Sequence, residues 1–249
     1  MMMNQVKTDS EVVAIRESGH MLAAVLRHLE RYVAPGISTG ELDRLAAVEL
    51  RRLGGKPAFL GYEGFPATIC ISVNEEIVHG IPGKRILTNG DIVGLDFGVT
   101  YNGMITDGAV TVPVGTASDD AIRLMTASRE ALEKGIAKVR EGARIGDISH
   151  AVEVRLRRDG LGVVEDMCGH GVGHEVHEDP LILNYGSKGQ GMRLKAGMTI
   201  AIEPMATLGT HEVELAADHW TICTADGSLA SQHEHTVLVL SDGFEILTV

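Results

Sequence analysis

The chain has 249 residues, 44% of them hydrophobic, which suffices for one large domain or two small ones around a buried core. Twenty-two Lys and Arg against 34 Asp and Glu leave a formal charge of −12, which argues against wrapping nucleic acid or docking on anionic lipid, since both need a dense basic face. The apolar fraction excludes disorder, 30 glycines exclude a coiled coil, and no apolar run reaches the roughly 18 residues of a membrane span.

The cysteines Cys70, Cys168 and Cys223 are odd in number and contain no CxxC, a pattern that suits a reducing compartment. Residues Met1 to Gly19 lack the apolar stretch of a signal peptide. A soluble cytoplasmic protein is the expectation.

The first 55 or so residues read as helical. Asp9 and Ser10 are candidate N-caps, and Val12, Ile15, Met21, Leu22, Val25, Leu26 and Leu29 recur at helical spacing. Pro35 and Gly36 interrupt the pattern, and a second helix runs from Thr39 to Leu53, stopped by Gly54-Gly55. Residues 67–112 then change texture, with short apolar runs at Thr68–Val73, Ile92–Val99 and Met104–Val112 that predict strands. Tyr101-Asn102-Gly103 between the last two signals a hairpin. Helices are predicted again at 119–140 and 146–159, and strand texture returns after Gly160.

This order predicts an internal repeat. Gly36, Gly40, Leu50, Arg51, Arg52 and Gly54 meet Gly142, Gly146, Leu156, Arg157, Arg158 and Gly160 at an offset of 106, and Leu87, Gly90 and Asp96 meet Leu194, Gly197 and Glu203 at 107. Both halves carry His-x-x-Pro, at His79–Pro82 and His177–Pro180. A single domain, 1–249, built of pseudo-repeats at about 11–112 and 119–240, is expected to bring acidic strand residues together on a pseudo-twofold axis.

The chemistry gathers on those acids. Asp96 and Asp107 sit in the two arms of the apolar hairpin. A two-residue turn at Asn102-Gly103 sets residue 96 opposite 109 and puts both carboxylates on one face; a three-residue loop puts them on opposite faces. Two such acids together share either a proton or a metal. Glu203 follows the apolar run 198–202, and Glu234 precedes His235-Thr-Val-Leu-Val-Leu240, so each is a carboxylate at a buried-looking strand end. His170, in Cys168-Gly-His-Gly-Val-Gly173, is held out by glycines. A lone histidine in such a loop is more often structural, but beside four carboxylates it reads as a ligand. This oxygen-rich set with one imidazole suits Mn(II), Fe(II), Co(II) or Zn(II), two ions rather than one, and hydrolysis by an activated water. It does not identify the bond cleaved.

The runs Cys70-Ile-Ser-Val-Asn-Glu-Glu-Ile-Val-His79-Gly-Ile-Pro82, Asp91-Ile-Val-Gly-Leu-Asp96-Phe-Gly98, Gly169-His170-Gly-Val-Gly-His-Glu-Val-His177-Glu-Asp-Pro180, Ile200-Ala-Ile-Glu203-Pro-Met205 and His233-Glu234-His235-Thr236 resemble type I methionine aminopeptidases over nearly the whole chain. The resemblance implies an α+β "pita-bread" fold, with two pseudo-symmetric halves around a dinuclear metal site, and removal of the initiator methionine when the second residue is small and uncharged. It implies that Asp96 chelates one ion and His170 the other, that Asp107 and Glu234 bridge both, and that Glu203 binds the second ion and acts as general base. His79 would contact substrate and assist the amide nitrogen, and His177 would hydrogen-bond the scissile carbonyl or its oxyanion. Tyr62, Phe65, Cys70 and Trp220 match the methionine pocket, with Phe59 and Val176 nearby. Phe65 stands where many relatives have Tyr, Val176 where some have Phe, and His174-Glu175 lie between the two active histidines, departures that bear on pocket shape.

Glu203 and Glu234 are 31 residues apart, too close for the insertion of type II enzymes, and no Cys/His-rich or Pro-rich extension precedes the catalytic part, as in the short bacterial form. The implied partners are nascent polypeptide N-termini and a transient ribosome contact through the domain's own surface, with a monomer favoured. The alternatives are an Xaa-Pro aminopeptidase or prolidase, which usually carries a large N-terminal domain; a non-catalytic binding relative, which would have lost ligands; and a two-metal phosphoesterase, which would want Lys or Arg near the site.

Overall fold

The computed structural model describes the backbone of Met2–Met3 and residues 6–249. Of the Met1–Gly19 stretch, Met1, Asn4 and Gln5 lie outside the described residues, and from Asp9 the chain is helical.

Helix α1, Asp9–Glu30, is capped by Thr8 rather than by Asp9 or Ser10. The Glu11 carboxylate accepts from the Thr8 N–H at 2.7 Å while the Thr8 hydroxyl accepts from the Glu11 N–H, a reciprocal box that only Thr8 can close. Its buried face carries Ile15, Leu22, Val25, Leu26 and Leu29, with Met21 packed beside them. Helix α2, Thr39–Leu53, has the predicted bounds, with a Ser38–Glu41 box at one end and Gly54 at φ 87° at the other. Helix α3, Asp119–Ile136, stops short of the expected residue 140, because the N–H groups of Lys138 and Val139 turn back to the carbonyls of Gly135 and Ile136. Helix α4 is Ile145–Arg158. The strand predicted at Thr68–Val73 begins at Cys70, since the N–H groups of Thr68 and Ile69 go to Asp43 Oδ1 instead of a neighbouring strand.

Strands Ile92–Tyr101 and Met104–Pro113 form the central hairpin, with Cys70–Val73 and Lys56–Pro57 paired to the first of them. Helices α1 and α2 cover this sheet through Leu22, Leu26, Leu42 and Leu50 against Ile71, Val93, Leu95 and Phe97. In the second half, Glu178–Leu183, Cys168–Gly171, Thr199–Ile202, His235–Leu240 and Gly243–Ile246 lie side by side. Leu132, Ile136, Ile145 and Ile148 of the α3–α4 region cover Ile200, Ile202, Val237 and Val239. This is the α+β arrangement of two helix-backed halves implied by the resemblance.

Matched positions of the halves do the same jobs. Gly54 and Gly160 have left-handed φ of 87° and 68°, and Gly90 and Gly197 of 101° and 87°. Leu50 and Leu156 are buried, as are Leu87 and Leu194. Ser38 bridges Ile86 just as Arg144 bridges Arg193. The halves are sewn together across the middle: the Thr111 hydroxyl donates to the Gln232 carbonyl at 2.6 Å, the Glu234 N–H to Ala109 at 2.8 Å, and the Asp107 N–H to Thr236 Oγ1 at 2.9 Å. Among the described residues no helix is long and apolar enough to cross a membrane, and the three cysteines are free.

Candidate active site

The Asn102-Gly103 turn decides the geometry. Tyr101 pairs with Met104, so the loop has two residues, both at positive φ (47° and 79°), as the strand twist demands of such a turn. Asp96 therefore faces Ala109 and Asp107 faces Gly98, which sets the two carboxylates diagonally on one face, the first of the two arrangements open from sequence. Cys70 sits directly opposite Asp96 on the other neighbouring strand.

The second half brings the remaining groups to the same face. His170 is paired with Ala201, two residues before Glu203, and Ala201 with Thr236, two residues after Glu234. His170 Nε2 lies 3.5 Å from Glu203 Oε1 and 4.0 Å from Asp107 Oδ2. One ligand atom from each of Asp107, His170 and Glu234 fits within 4.8 Å of the others. All five side chains, Asp96, Asp107, His170, Glu203 and Glu234, line one cavity.

The electrostatics are those of an uncompensated acid cluster. Burial pushes Asp96 up to about 7, against a hydrogen bond from Asp107 that pulls it down. Burial and then the neighbouring carboxylates raise Asp107 and Glu234, and burial with the charge of Asp96 raises Glu203. Among the described residues, no Lys or Arg forms an ion pair with any of the four. Asp96 Oδ1 and Glu234 Oε1 are buried with no hydrogen-bond partner. His170 is held neutral, down to about 3, chiefly by burial, so its approaches to the acids are not ion pairs. Its Nδ1 donates to the Gly171 carbonyl at 2.9 Å, which leaves the Nε2 lone pair turned toward the carboxylates. Orphaned carboxylate oxygens around a free imidazole nitrogen fit a divalent cation.

His79 and His177 flank this floor. His79 holds φ 60°, a strained value for a non-glycine residue, and burial lowers its pKa to about 4. His177 stacks edge-on to His170 with ring centroids 4.4 Å apart, and its Nδ1 is 3.0 Å from the Tyr62 hydroxyl. Burial lowers His177 as well, with Glu63 acting to raise it.

The apolar wall gathers all six pocket candidates. Phe59, Phe65, Cys70 and Val176 are buried together with Tyr62 and Trp220 packed against them. Trp220 meets Phe65 edge-on at 5.2 Å, on a loop fixed by Asp218 accepting the N–H groups of Trp220 and Thr221. Burial and the nearby acids keep the Cys70 thiol protonated.

Sequence reasoning missed Glu63, Met167 and Cys168, which also line the cavity, and Gln232, whose Nε2 donates to Glu203 Oε2 at 3.1 Å. Met167 and Cys168 precede the Gly-His-Gly run, so proximity to His170 was the available signal. Gln232 stands two residues before Glu234, a comparable signal, but nothing in the sequence connects it to Glu203, 29 residues away.

Residues 13–241 match the model of metallopeptidase family M24. Methionine aminopeptidase 1 of Bacillus subtilis is 45% identical over 242 residues, covering 97% of this chain and 98% of that protein. The crystal structure of methionine aminopeptidase from Thermotoga maritima superposes with a TM-score of 0.97 at 42% identity, covering 99% of each chain. The Xaa-Pro dipeptidase of Bacillus anthracis shares the fold at a TM-score of 0.80 but only 24% identity, and 61% of its length is covered.

Proposed function

We propose, from the premise that this chain belongs to metallopeptidase family M24 and within it to the bacterial-type methionine aminopeptidases, that it removes the initiator methionine from new polypeptides in the cytoplasm. The observation that carries the reading is the convergence of three buried carboxylates, the largely buried Glu203 and a neutral imidazole, with no Lys or Arg ion-paired to them among the described residues, on the floor of an aromatic-walled cavity. Two divalent ions held by Asp96, Asp107, His170, Glu203 and Glu234 would supply Lewis-acid polarisation of the carbonyl and a water of lowered pKa.

The chain's own groups do the rest. Glu203 takes the proton of the attacking water, oriented by the Gln232 amide. The Tyr62 hydroxyl lies 3.0 Å from His177 Nδ1; with the phenol as donor, the ring would carry its proton on Nε2 and offer that N–H to the oxyanion. His79, fixed in its strained backbone, serves the amide nitrogen of the leaving chain. Phe59, Phe65, Cys70, Val176, Tyr62 and Trp220 enclose the unbranched, polarizable side chain that such a pocket accepts. We read residues 1–249 as one catalytic unit of two pseudo-repeats.

Release of Met from Met-Ala-Ser, compared with cleavage of Ala-Pro peptides under added Mn, Fe or Co, tests the reading. Preferential Met release is expected; preferential Ala-Pro cleavage would assign the prolidase activity instead.

A further inference from the structure

His177 stands immediately before Glu178, at the end of a tight turn, residues 173–178. The Glu178 side chain is completely buried, and so is the Lys7 side chain, whose Nζ lies 3.1 Å from Glu178 Oε2. The other carboxylate oxygen, Oε1, accepts from the His174 N–H at 2.6 Å and the Glu175 N–H at 3.3 Å. One carboxylate thus closes the turn on itself and ties it to the segment that leads into α1. Lys7 is itself anchored, its N–H donating to the Gly197 carbonyl at 2.8 Å. Its stem runs close over Gly173, whose φ of 147° already favours glycine, and a Cβ there would meet Lys7 Cε. A second tie runs in parallel nearer the surface: His174 Nε2 lies 2.7 Å from Oε1 of Glu11, in the first turn of α1. On the other side, the Ile105 N–H holds the Gly173 carbonyl at 2.7 Å.

A buried ion pair is a poor source of stability, since a packed apolar pair of the same volume does as well or better; what it supplies is one defined geometry. Here the geometry it defines is the backbone of the residue next to it. An imidazole that must present Nε2–H to an oxyanion while keeping its Nδ1 contact with Tyr62 has little positional freedom, and displacement of about 1 Å can cost roughly 100-fold in rate.

We propose that Lys7 and Glu178 are positioning residues for His177, acting through the 173–178 turn from the lead-in of α1. The proposal rests on reading His177 as the oxyanion donor. It assigns catalytic importance to a lysine that touches neither substrate nor metal ligands.

The test is a double-mutant cycle on the metal-loaded enzyme, with kcat, KM, metal content and melting temperature measured for each variant. Lys7→Met keeps the stem and removes the charge. It should lower kcat roughly ten- to hundredfold with KM and metal content near wild type. In a His177→Ala background the same change should cost less than about twofold, because the group it positions is gone. The neutral pair Lys7→Met with Glu178→Gln leaves no buried charge and retains an acceptor for the turn, so it is expected to fold even where Lys7→Met alone does not, and it should show the same kcat loss. Should neither be folded, His174→Ala cuts the part-buried tie to Glu11 and should lower kcat several-fold. Wild-type kcat in the folded variants, or an equal loss in the His177→Ala background, would overturn the proposal. Wild-type kcat for His177→Ala itself would instead remove the reading on which it rests.

Discussion

Glu178 and Glu234 are both buried carboxylates, and their surroundings differ in one respect. Glu178 lies against the Lys7 ammonium and two backbone N–H groups. Glu234 lies among Asp107, Glu203 and Asp96, with Oε1 unbonded. The first region is electrically complete within the chain, and the second is not. Acids buried where the fold supplies no cation mark the place where a cation from outside completes it.

The sharpest way to break this contrast is to remove a carboxylate from the incomplete region. Asp107→Ala should abolish stable dinuclear binding and turnover together while the helical circular dichroism stays at wild type. Two ions and wild-type activity in that variant would mean that Asp107 is not a shared ligand. His177→Ala stands outside the ligand set and should separate chemistry from metal. Loss of one oxyanion donor costs about 10²–10³ in kcat, with metal content and melting temperature near wild type. A lowered melting temperature with unchanged kcat would make His177 a structural turn residue.

The contrast also has a pH signature in protein stripped of metal by a chelator. Asp96, at about 7, and Asp107, Glu203 and Glu234, each also raised chiefly by burial, hold protons in the folded state that the unfolded chain releases above about 4. Their contribution to stability is lost as pH rises through the folded values. His79 and His170, lowered to about 4 and about 3 by burial, act in the opposite sense, losing stability as pH falls below about 6.5. Between roughly pH 4 and 6.5 the two sets oppose each other. Above that the carboxylates dominate the change, so the melting temperature of the stripped protein should fall from pH 6.5 to 8.5, and added Mn should remove the fall. A stripped protein that gains stability over that range would contradict the acid cluster. The smallest effect belongs to Asp43, whose Oδ1 is satisfied by the Thr68 and Ile69 N–H groups alone. Asp43→Ala should cost about 1–3 kcal/mol of stability in denaturant unfolding and leave metal binding untouched.

The acid cluster was legible because its determinants are local. Asn102-Gly103 fixes the hairpin register, and the register alone puts Asp96 and Asp107 on one face. The shared offset of the halves then placed Glu203 beside them. The bounds of α2 were legible for the same reason, since Ser38, Glu41 and Gly54 lie within it or at its edges. The Thr8–Glu11 box was equally local and was passed over in favour of Asp9 and Ser10, where the capping geometry does not close. The end of α3 was not legible, because no Gly or Pro lies between residues 136 and 140 to mark the turn. Lys7 and Glu178 are separated by 171 residues and Gln232 and Glu203 by 29, and no periodicity connects such pairs before the halves are assembled.

The claim that the four clustered acids form a cation site is tested most directly by calorimetric titration of Mn(II) into chelator-stripped protein at pH 7, run in two buffers of different ionisation enthalpy. Binding of two ions per chain with net proton release is expected, since carboxyl groups held protonated by burial must ionise to become ligands. Failure to bind, or binding without any proton release, would contradict it.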